Sequence, residues 1–180
     1  MDVLNPLGAY FQTLARYHLW ATRRLLAEHI APLPEADYRR DCGLFFKSIH
    51  GTLNHLLVVE SQIWLRRFAH GESPQGVSLA AEVEPDRARL AQRLLDTAQD
   101  WVDFTQSLPA ARLDAPLRYT NSKGVLMSLP FAPTLAHVFN HGTHHRGQIS
   151  AALTAMRRPA PELDIVYMLQ AEAAAQGQRT

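Results

Sequence analysis

Four of the chain's nine histidines lie within one stretch of twelve residues, at His137, His141, His144 and His145. Spacings of four and seven place them along one stripe of an α-helix. Two imidazoles one helical turn apart can hold a single metal ion, as the paired histidines of an HExxH motif do. No glutamate follows the first histidine of either pair, so the general base of a zinc protease is missing. The stretch favours a metal site over the simpler interpretation that these histidines are solvated or hydrogen-bonded.

Two glycines, Gly142 and Gly147, interrupt the same stretch. Each costs roughly 1 kcal/mol relative to alanine in a helix interior. A glycine at such a position usually allows another group to approach closely. A metal shell would also need at least a third protein ligand from elsewhere in the chain.

Long segments with apolar residues at spacings of three and four indicate which elements position these histidines. They predict four helices, near residues 7–30, 44–69, 84–107 and 130–157. Residues 117–129 predict a short β-hairpin with Gly124 at a position of positive φ, and residues 163–175 predict a short closing helix. The expected fold class is all-α, in one domain over residues 1–180.

Local signals support the helix boundaries. Asn5 and Pro6 suit the N-cap and first position of the first helix, and Pro85 suits the first turn of the third. The second helix is expected to bury a stripe that includes Ile63, and the closing helix to point Leu169 inward.

The second helix carries His50 and His55, the candidates for the third ligand. Five residues of helix separate them by about 140°, so both cannot face one ion. His55 lies nearer the middle of the helix, and we assign it to the site and His50 to a structural role. The alternative for His55 is a hydrogen-bonded core histidine. His18, on the first helix, is expected to be a core or interface residue rather than a ligand.

Composition limits the classes of function. The chain has 47% hydrophobic and 19% charged residues with a net charge of +1, which is typical of a globular protein and does not favour nucleic acid as a partner. Its one cysteine, Cys42, excludes an internal disulfide and a multi-cysteine metal site. We expect no signal peptide, no membrane span and a cytoplasmic location.

Several motifs together resemble the DinB/YfiT-like family of metal-dependent, damage-inducible proteins. They are Ser48-Ile-His-Gly-Thr-Leu-Asn-His-Leu-Leu, Trp64-Leu, Asn140-His-Gly-Thr-His-His-Arg-Gly-Gln-Ile and Pro161-Glu-Leu-Asp-Ile-Val-Tyr-Met. The resemblance covers nearly the whole chain, and the His-His-Arg-Gly-Gln run is its most specific part.

The resemblance implies a four-helix bundle in which His55, His141 and His145 bind one divalent metal ion. It leaves His137 and His144 as residues that do not bind the ion. All-nitrogen ligation suits zinc, nickel, iron or copper, and the sequence does not choose among them. Three neutral imidazoles with open positions are typical of a catalytic metal site.

The family includes enzymes that use a low-molecular-weight thiol, such as mycothiol, bacillithiol or glutathione, for isomerisation or S-transfer. The resemblance therefore implies a thiol transferase acting on a small-molecule substrate. A metal-water hydrolase and a non-catalytic stress-response protein that binds metal or ligand are the alternatives. Cys42 is far along the chain from the ligands, so the thiol is expected to arrive as a cofactor. Arg146 is either a hydrogen bonder or the residue that holds an anionic group of that cofactor.

We also expect a homodimer. The family often dimerises, and Trp20, Trp64 and Trp101 are difficult to assign to one small core.

Overall fold

The computed structural model describes residues 5–177, which form long helices and one antiparallel hairpin. Helix α1 spans Pro6–Arg24 and continues with wider turns through Leu25–Ile30; α2 is Glu35–Arg39; α3 runs through Ile49–Leu57, Val58–Leu65 and Arg66–His70; α4 is Arg87–Ser107; β1 is Pro116–Thr120; β2 is Leu126–Pro130; α5 is Phe131–Ala155; and α6 is Ile165–Gly177. A single 3₁₀ turn, Ala110–Arg112, lies between α4 and β1.

The predicted fold class is confirmed. Helices α1 and α3 each pack against both α4 and α5, which makes the four long helices a bundle. The antiparallel hairpin precedes the last long helix, and a short helix closes the chain. No helix among residues 5–177 has the length and apolar character needed to cross a membrane.

Capping explains where the helices begin. The Asn5 side chain accepts a hydrogen bond from the Leu7 N–H, and Pro6 occupies the first helical position, as predicted. Helix α4 begins at Arg87 rather than near residue 84, because the Asp86 carboxylate caps it by accepting from the Arg89 N–H. The expected place of Pro85 in the first turn was therefore wrong: it precedes the cap.

The second long helix also begins later than residue 44. Residues 44–47 form a tight turn in which Lys47 has a φ of 67°, a conformation that no right-handed helix contains. Ser48 then caps α3 by accepting from the Gly51 N–H.

The middle of α3, Val58–Leu65, has the wide turns of a π-helix. These turns shift the angular positions of the residues that follow relative to an ordinary helix. The buried run Thr52–Glu60 extends from the ordinary turns into these wide turns, whereas Ile63 beyond it is only half-buried, so its predicted place in the buried stripe was wrong.

The hairpin and the closing helix lie on the outside of the bundle. Leu117 and Tyr119 of β1 point into the core, and Gly124 has the predicted positive φ of 76°. Helix α6 buries Met168 against α1, but Leu169 is 42% exposed. The inward position predicted for Leu169 was wrong because α6 covers only one flank of the bundle.

Two large apolar clusters occupy opposite ends of the bundle. One contains Leu57 and Ile149, and the other contains Phe68 and Phe139. Along α1, α3 and α5, the residues between these ends include buried polar side chains. They are His18, Glu60, His145 and Arg146. This polar belt is where the functional site lies.

Candidate metal centre

Three imidazole nitrogens meet at one point in the polar belt. His141 Nε2 lies 3.2 Å from His55 Nε2 and 3.1 Å from His145 Nε2. Helix α5 supplies two of these side chains one turn apart, and α3 supplies the third from the facing side. The structure therefore brings together the three residues that the sequence nominated as ligands.

Hydrogen bonds at the opposite ring nitrogens determine which tautomer two of these histidines adopt. His55 Nδ1 lies 2.8 Å from the carbonyl oxygen of Leu79, and His145 Nδ1 lies 2.7 Å from Oε1 of Gln148. Both oxygens can only accept, so each Nδ1 carries the proton. The Nε2 atoms of His55 and His145 are then unprotonated, and each directs its lone pair at His141.

This arrangement fits a cation. His141 can donate an Nε2–H to only one of its two neighbours. The Nε2 atom of the other neighbour would then have no hydrogen to accept, unless a positive charge lay between the nitrogens. Tetrahedral zinc bound at about 2.0–2.1 Å would separate its nitrogen ligands by about 3.3 Å. The observed spacings of 3.1 and 3.2 Å are close to that value.

Burial keeps the three imidazoles neutral near pH 7. Burial, together with the neighbouring His145, lowers the pKa of His141 to about 4. Burial also lowers the pKa of His145 to about 4, and that of His55 below its usual value. Neutral imidazole is the form that binds metal, so the electrostatics of the site and its geometry agree.

Phe46 covers one side of the cluster, and the sequence offered no signal for this role. Its ring stacks on His55 with centroids 3.8 Å apart and an angle of 18° between the planes. The turn that carries Phe46 sits directly on α3: a Cβ on Gly51 would lie 2.2 Å from the Phe46 carbonyl oxygen. Gly51 therefore allows the contact that positions the ring.

A second group of interacting side chains lies in the polar belt and consists of His18, Glu60 and Arg146. Arg146 Nη1 is 2.9 Å from His18 Nδ1, and His18 Nε2 is 3.1 Å from Glu60 Oε2. A guanidinium can only donate, so Nδ1 accepts and the imidazole proton lies on Nε2, pointing at Glu60. The neutral ring thus links a buried cation to a buried anion.

Glu60 is the negative member of this chain and is 2% exposed. Burial raises its pKa, but the hydrogen bond from His18 and the charge of Arg146 bring the pKa below its usual value. Glu60 is therefore ionised beneath the histidine cluster. We did not predict this role of Glu60 from the sequence. A single acid directly after the apolar run Leu56–Val59 could have indicated a buried carboxylate.

Gly142 makes this network possible. A Cβ at that position would lie 2.8 Å from His18 Cε1 and 2.9 Å from Glu60 Oε1, closer than real Cβ atoms approach. The predicted close approach is thus found at Gly142. It is absent at Gly147, where nothing in the described part of the chain lies within 4 Å of a Cβ.

Two buried side-chain atoms near Gly142 lack a hydrogen-bond partner within residues 5–177. One is Glu60 Oε1, which lies against Gly142, and the other is Nδ1 of His141, the residue before Gly142. The charge of Glu60 acts on His141 and raises its affinity for a proton. A metal-bound histidine usually donates its second N–H to an acceptor, and a carboxylate is a common choice.

The remaining histidines lie outside the cluster. His50 is buried and contacts Tyr38 Oη and Asn54, which is the structural role predicted for it. His137 packs edge-on against Trp64, and His144 is exposed. His18 is a core residue, as expected.

Arg146 is 2% exposed, and its two terminal nitrogens donate to His18 and Thr143 rather than pointing to open space. This placement matches the hydrogen-bonding role considered for it. Its role in binding a cofactor stays a prediction.

A cavity of about 420 Å³ opens beside the cluster. His55 and His141 form one wall, and the rest of the lining includes Val59, Trp64 and Arg67 of α3, the loop that follows α3, and His137. A volume of this size suits a small-molecule ligand. The histidine cluster is therefore accessible from one side and covered by Phe46 on another.

Comparison with known proteins agrees with this architecture. The model of the DinB family matches residues 6–179. Protein DinB of Bacillus subtilis (strain 168) is 27% identical over 145 residues, covering 78% of this chain and 82% of the relative. The family match includes every element of the bundle and all three clustered histidines, and the chain therefore belongs to the DinB family.

Proposed function

We propose that this protein is a metal-dependent thiol transferase that uses a low-molecular-weight thiol and acts on a small electrophile. The observation that supports this most is the convergence of three neutral imidazole Nε2 atoms at the wall of a ligand-sized cavity. Three protein ligands leave a coordination position open, which is typical of catalytic rather than structural sites. The family resemblance contributes the thiol.

His55, His141 and His145 would hold the ion. A divalent ion bound there stabilises a thiolate near neutral pH, as it does a bound hydroxide. The chain's own residues prepare that position: Leu79 and Gln148 orient two of the rings through their Nδ1 protons. On the cavity side, Val59 and Trp64 provide an apolar part of the wall.

The reacting thiol must come from outside the chain. The Cys42 thiol donates to the Lys47 carbonyl oxygen at 3.4 Å, and Cys42 packs against the apolar cluster that contains Leu57. It does not line the cavity. Cys42→Ser should therefore keep metal binding and most of the activity.

Turnover of a chlorodinitrobenzene with a panel of thiols tests the proposal. In this reaction a carbon–sulfur bond forms, chloride leaves with the electron pair of the carbon–chlorine bond, and the thiol proton passes to the buffer. We expect turnover by wild type loaded with zinc, nickel or iron, and by Cys42→Ser, but not by His141→Ala. Absence of thiol-dependent turnover with every metal would contradict the proposal.

Two other outcomes identify the alternatives. Cleavage of an ester or amide without thiol would indicate a metal-water hydrolase. Tight binding of metal or ligand with no turnover would indicate a non-catalytic protein. Of the residues that line the described cavity none is a carboxylate, so a hydrolase would lack an acidic general base there.

A further inference from the structure

Arg67 occupies an unusual position on the cavity wall. Its guanidinium carbon lies 4.6 Å from the ring centroid of Trp64 and 4.5 Å from that of Tyr119, so it is stacked between two aromatic faces. Its Nε donates to Ser73 Oγ at 2.8 Å. This hydrogen bond and the two rings hold the planar group in one orientation.

The terminal nitrogens of Arg67 have no counter-ion within residues 5–177. No described Asp or Glu forms an ion pair with them, and Nε makes the guanidinium's only hydrogen bond to a described residue. Most other arginines of the bundle face an acid or carbonyl, as Arg87 does with Leu33 and Glu35. Burial lowers the pKa of Arg67, although a guanidinium remains charged at neutral pH.

The rest of the cavity does not neutralise this charge. Its described lining contains three histidines, two serines, apolar side chains and no Asp or Glu. A fixed, half-buried cation that faces an acid-free cavity is a binding site for an anion, because a ligand then supplies the missing charge.

We propose that Arg67 is a carboxylate-recognising residue of the same cavity, which holds the anionic group of the ligand whose other end reaches His55 and His141. The inference concerns which ligands the site accepts and, for thiols, rests on the proposed function. Ser122, at the hairpin turn on the cavity rim, is a second hydroxyl within the same lining.

The charge balance favours a carboxylate over a phosphate. Arg67 is the only Lys or Arg among the described lining residues, and one guanidinium neutralises one carboxylate. The two parallel donors of its terminal nitrogens match the two carboxylate oxygens. The cavity therefore selects thiols that carry a carboxylate over thiols that do not.

Matched probe pairs test this selection. Mercaptoacetate, mercaptopropionate and mercaptobutyrate are each compared with the neutral amide by calorimetry, using cobalt-loaded protein whose absorption reports sulfur coordination. We expect wild type to bind at least one carboxylate about tenfold more tightly than its amide. Arg67→Met should remove this preference and leave the affinity for the amide unchanged.

Two variants control for folding and charge. Arg66→Met, on the exposed neighbour in α3, should retain the preference. Arg67→Lys keeps the charge but loses the fork of donors, and should retain only part of the preference for the carboxylate. If Arg67→Met lowers the melting temperature but keeps the preference, Arg67 only clamps the hairpin to α3 and the proposal is overturned.

A thiol-free arm separates the two proposals. Benzoate and benzamide are titrated into metal-free protein while the indole N–H resonance of Trp64 is followed. Selective binding of benzoate that Arg67→Met removes would support the carboxylate site even if no thiol ever coordinates the metal. Equal binding of benzoate and benzamide by wild type would overturn the carboxylate site, whatever the thiol results.

Discussion

His141 is the central member of the histidine cluster, because both short nitrogen–nitrogen contacts involve its Nε2. It is also the member whose Nδ1 has no partner within the described residues. His55 and His145 are oriented by Leu79 and Gln148. The charge of Glu60 acts on His141, so at the residue scale we expect Glu60 to favour a cation bound at this ring.

Glu60→Gln should weaken metal binding about 10- to 100-fold, the usual effect of removing a residue that supports a ligand. The substitution removes the negative charge that favours a cation and the strongest acceptor near His141. Competition with a chromophoric chelator measures the affinity. Glu28→Gln, on the exposed side of the first helix, is the matched control and should bind metal like wild type.

Folding is a separate consequence of this change, because Arg146 would be left as an uncompensated buried charge at a cost of about 3–5 kcal/mol. The double variant Glu60→Gln with Arg146→Met removes both charges and should recover much of the stability without recovering the metal affinity. Recovery of both would mean that Glu60 serves the fold alone.

The three clustered histidines could be nominated from the sequence because two of them share a helical turn and a recognisable motif. His18 and Glu60 could not be paired in this way, since 42 positions separate them. Their pairing depends on how α1 and α3 pack. Arg67 resembled an ordinary solvated arginine near a helix end, and only the packing of Trp64 and Tyr119 around it distinguishes it.

At the scale of elements, the close approach of α5 to α1 and α3 at Gly142 positions the site. His18 and Glu60 occupy the space that a Cβ would fill there. Gly147, five positions further along the same helix, has no such neighbour in the described part of the chain. The two glycines therefore form an internal comparison.

Gly142→Ala should destabilise the metal-free protein by about 1–3 kcal/mol, because the new methyl group overpacks a buried network. Gly147→Ala should stabilise it by up to about 1 kcal/mol, because alanine favours the helix and meets nothing. Urea unfolding followed by circular dichroism measures both. Equal effects of the two substitutions would show that Gly142 does not have the packing role assigned to it.

Helix existence was predictable from periodicity, but two features of the helices were not. The start of α3 depends on the positive φ of Lys47, and a lysine does not predict such a backbone conformation. The π-helical turns of Val58–Leu65 alter the period on which the burial of Ile63 was predicted. Both features lie next to the site. The turn before α3 carries Phe46, which covers His55, and the π-helical turns contain the buried Glu60.

At the scale of the whole molecule, the polar belt lies between two apolar clusters and its stability depends on pH. The folded pKa of His141 and of His145 is about 4, against a usual value of 6.5. Between these values the unfolded chain binds protons that the folded chain does not. The stability of the metal-free protein should therefore be fully present above pH 6.5 and fall as the pH is lowered towards 4.

Melting temperatures of metal-free protein between pH 7 and 4.5 check this pH dependence, with the acid limit kept above the folded pKa of about 4. The fall should be smaller in His141→Gln than in wild type, and unchanged in His70→Gln, which alters an exposed histidine. The same fall in all three proteins would exclude His141 as a source of the acid sensitivity.

The assembly of the molecule stays a prediction. Trp101 is fully buried, and Trp20 and Trp64 pack against apolar clusters, so the tryptophans no longer require a partner surface. The expectation of a homodimer rests on the family resemblance alone. Light scattering at micromolar concentration decides between monomer and dimer.

Metal stoichiometry in single histidine variants tests the central claim most directly. Elemental analysis after metal loading and desalting should find one divalent ion per chain in wild type, His137→Ala and His144→Ala. It should find none in His55→Ala, His141→Ala or His145→Ala, each checked for folding by circular dichroism. A folded His55→Ala protein that retained one ion with wild-type affinity would contradict the assignment.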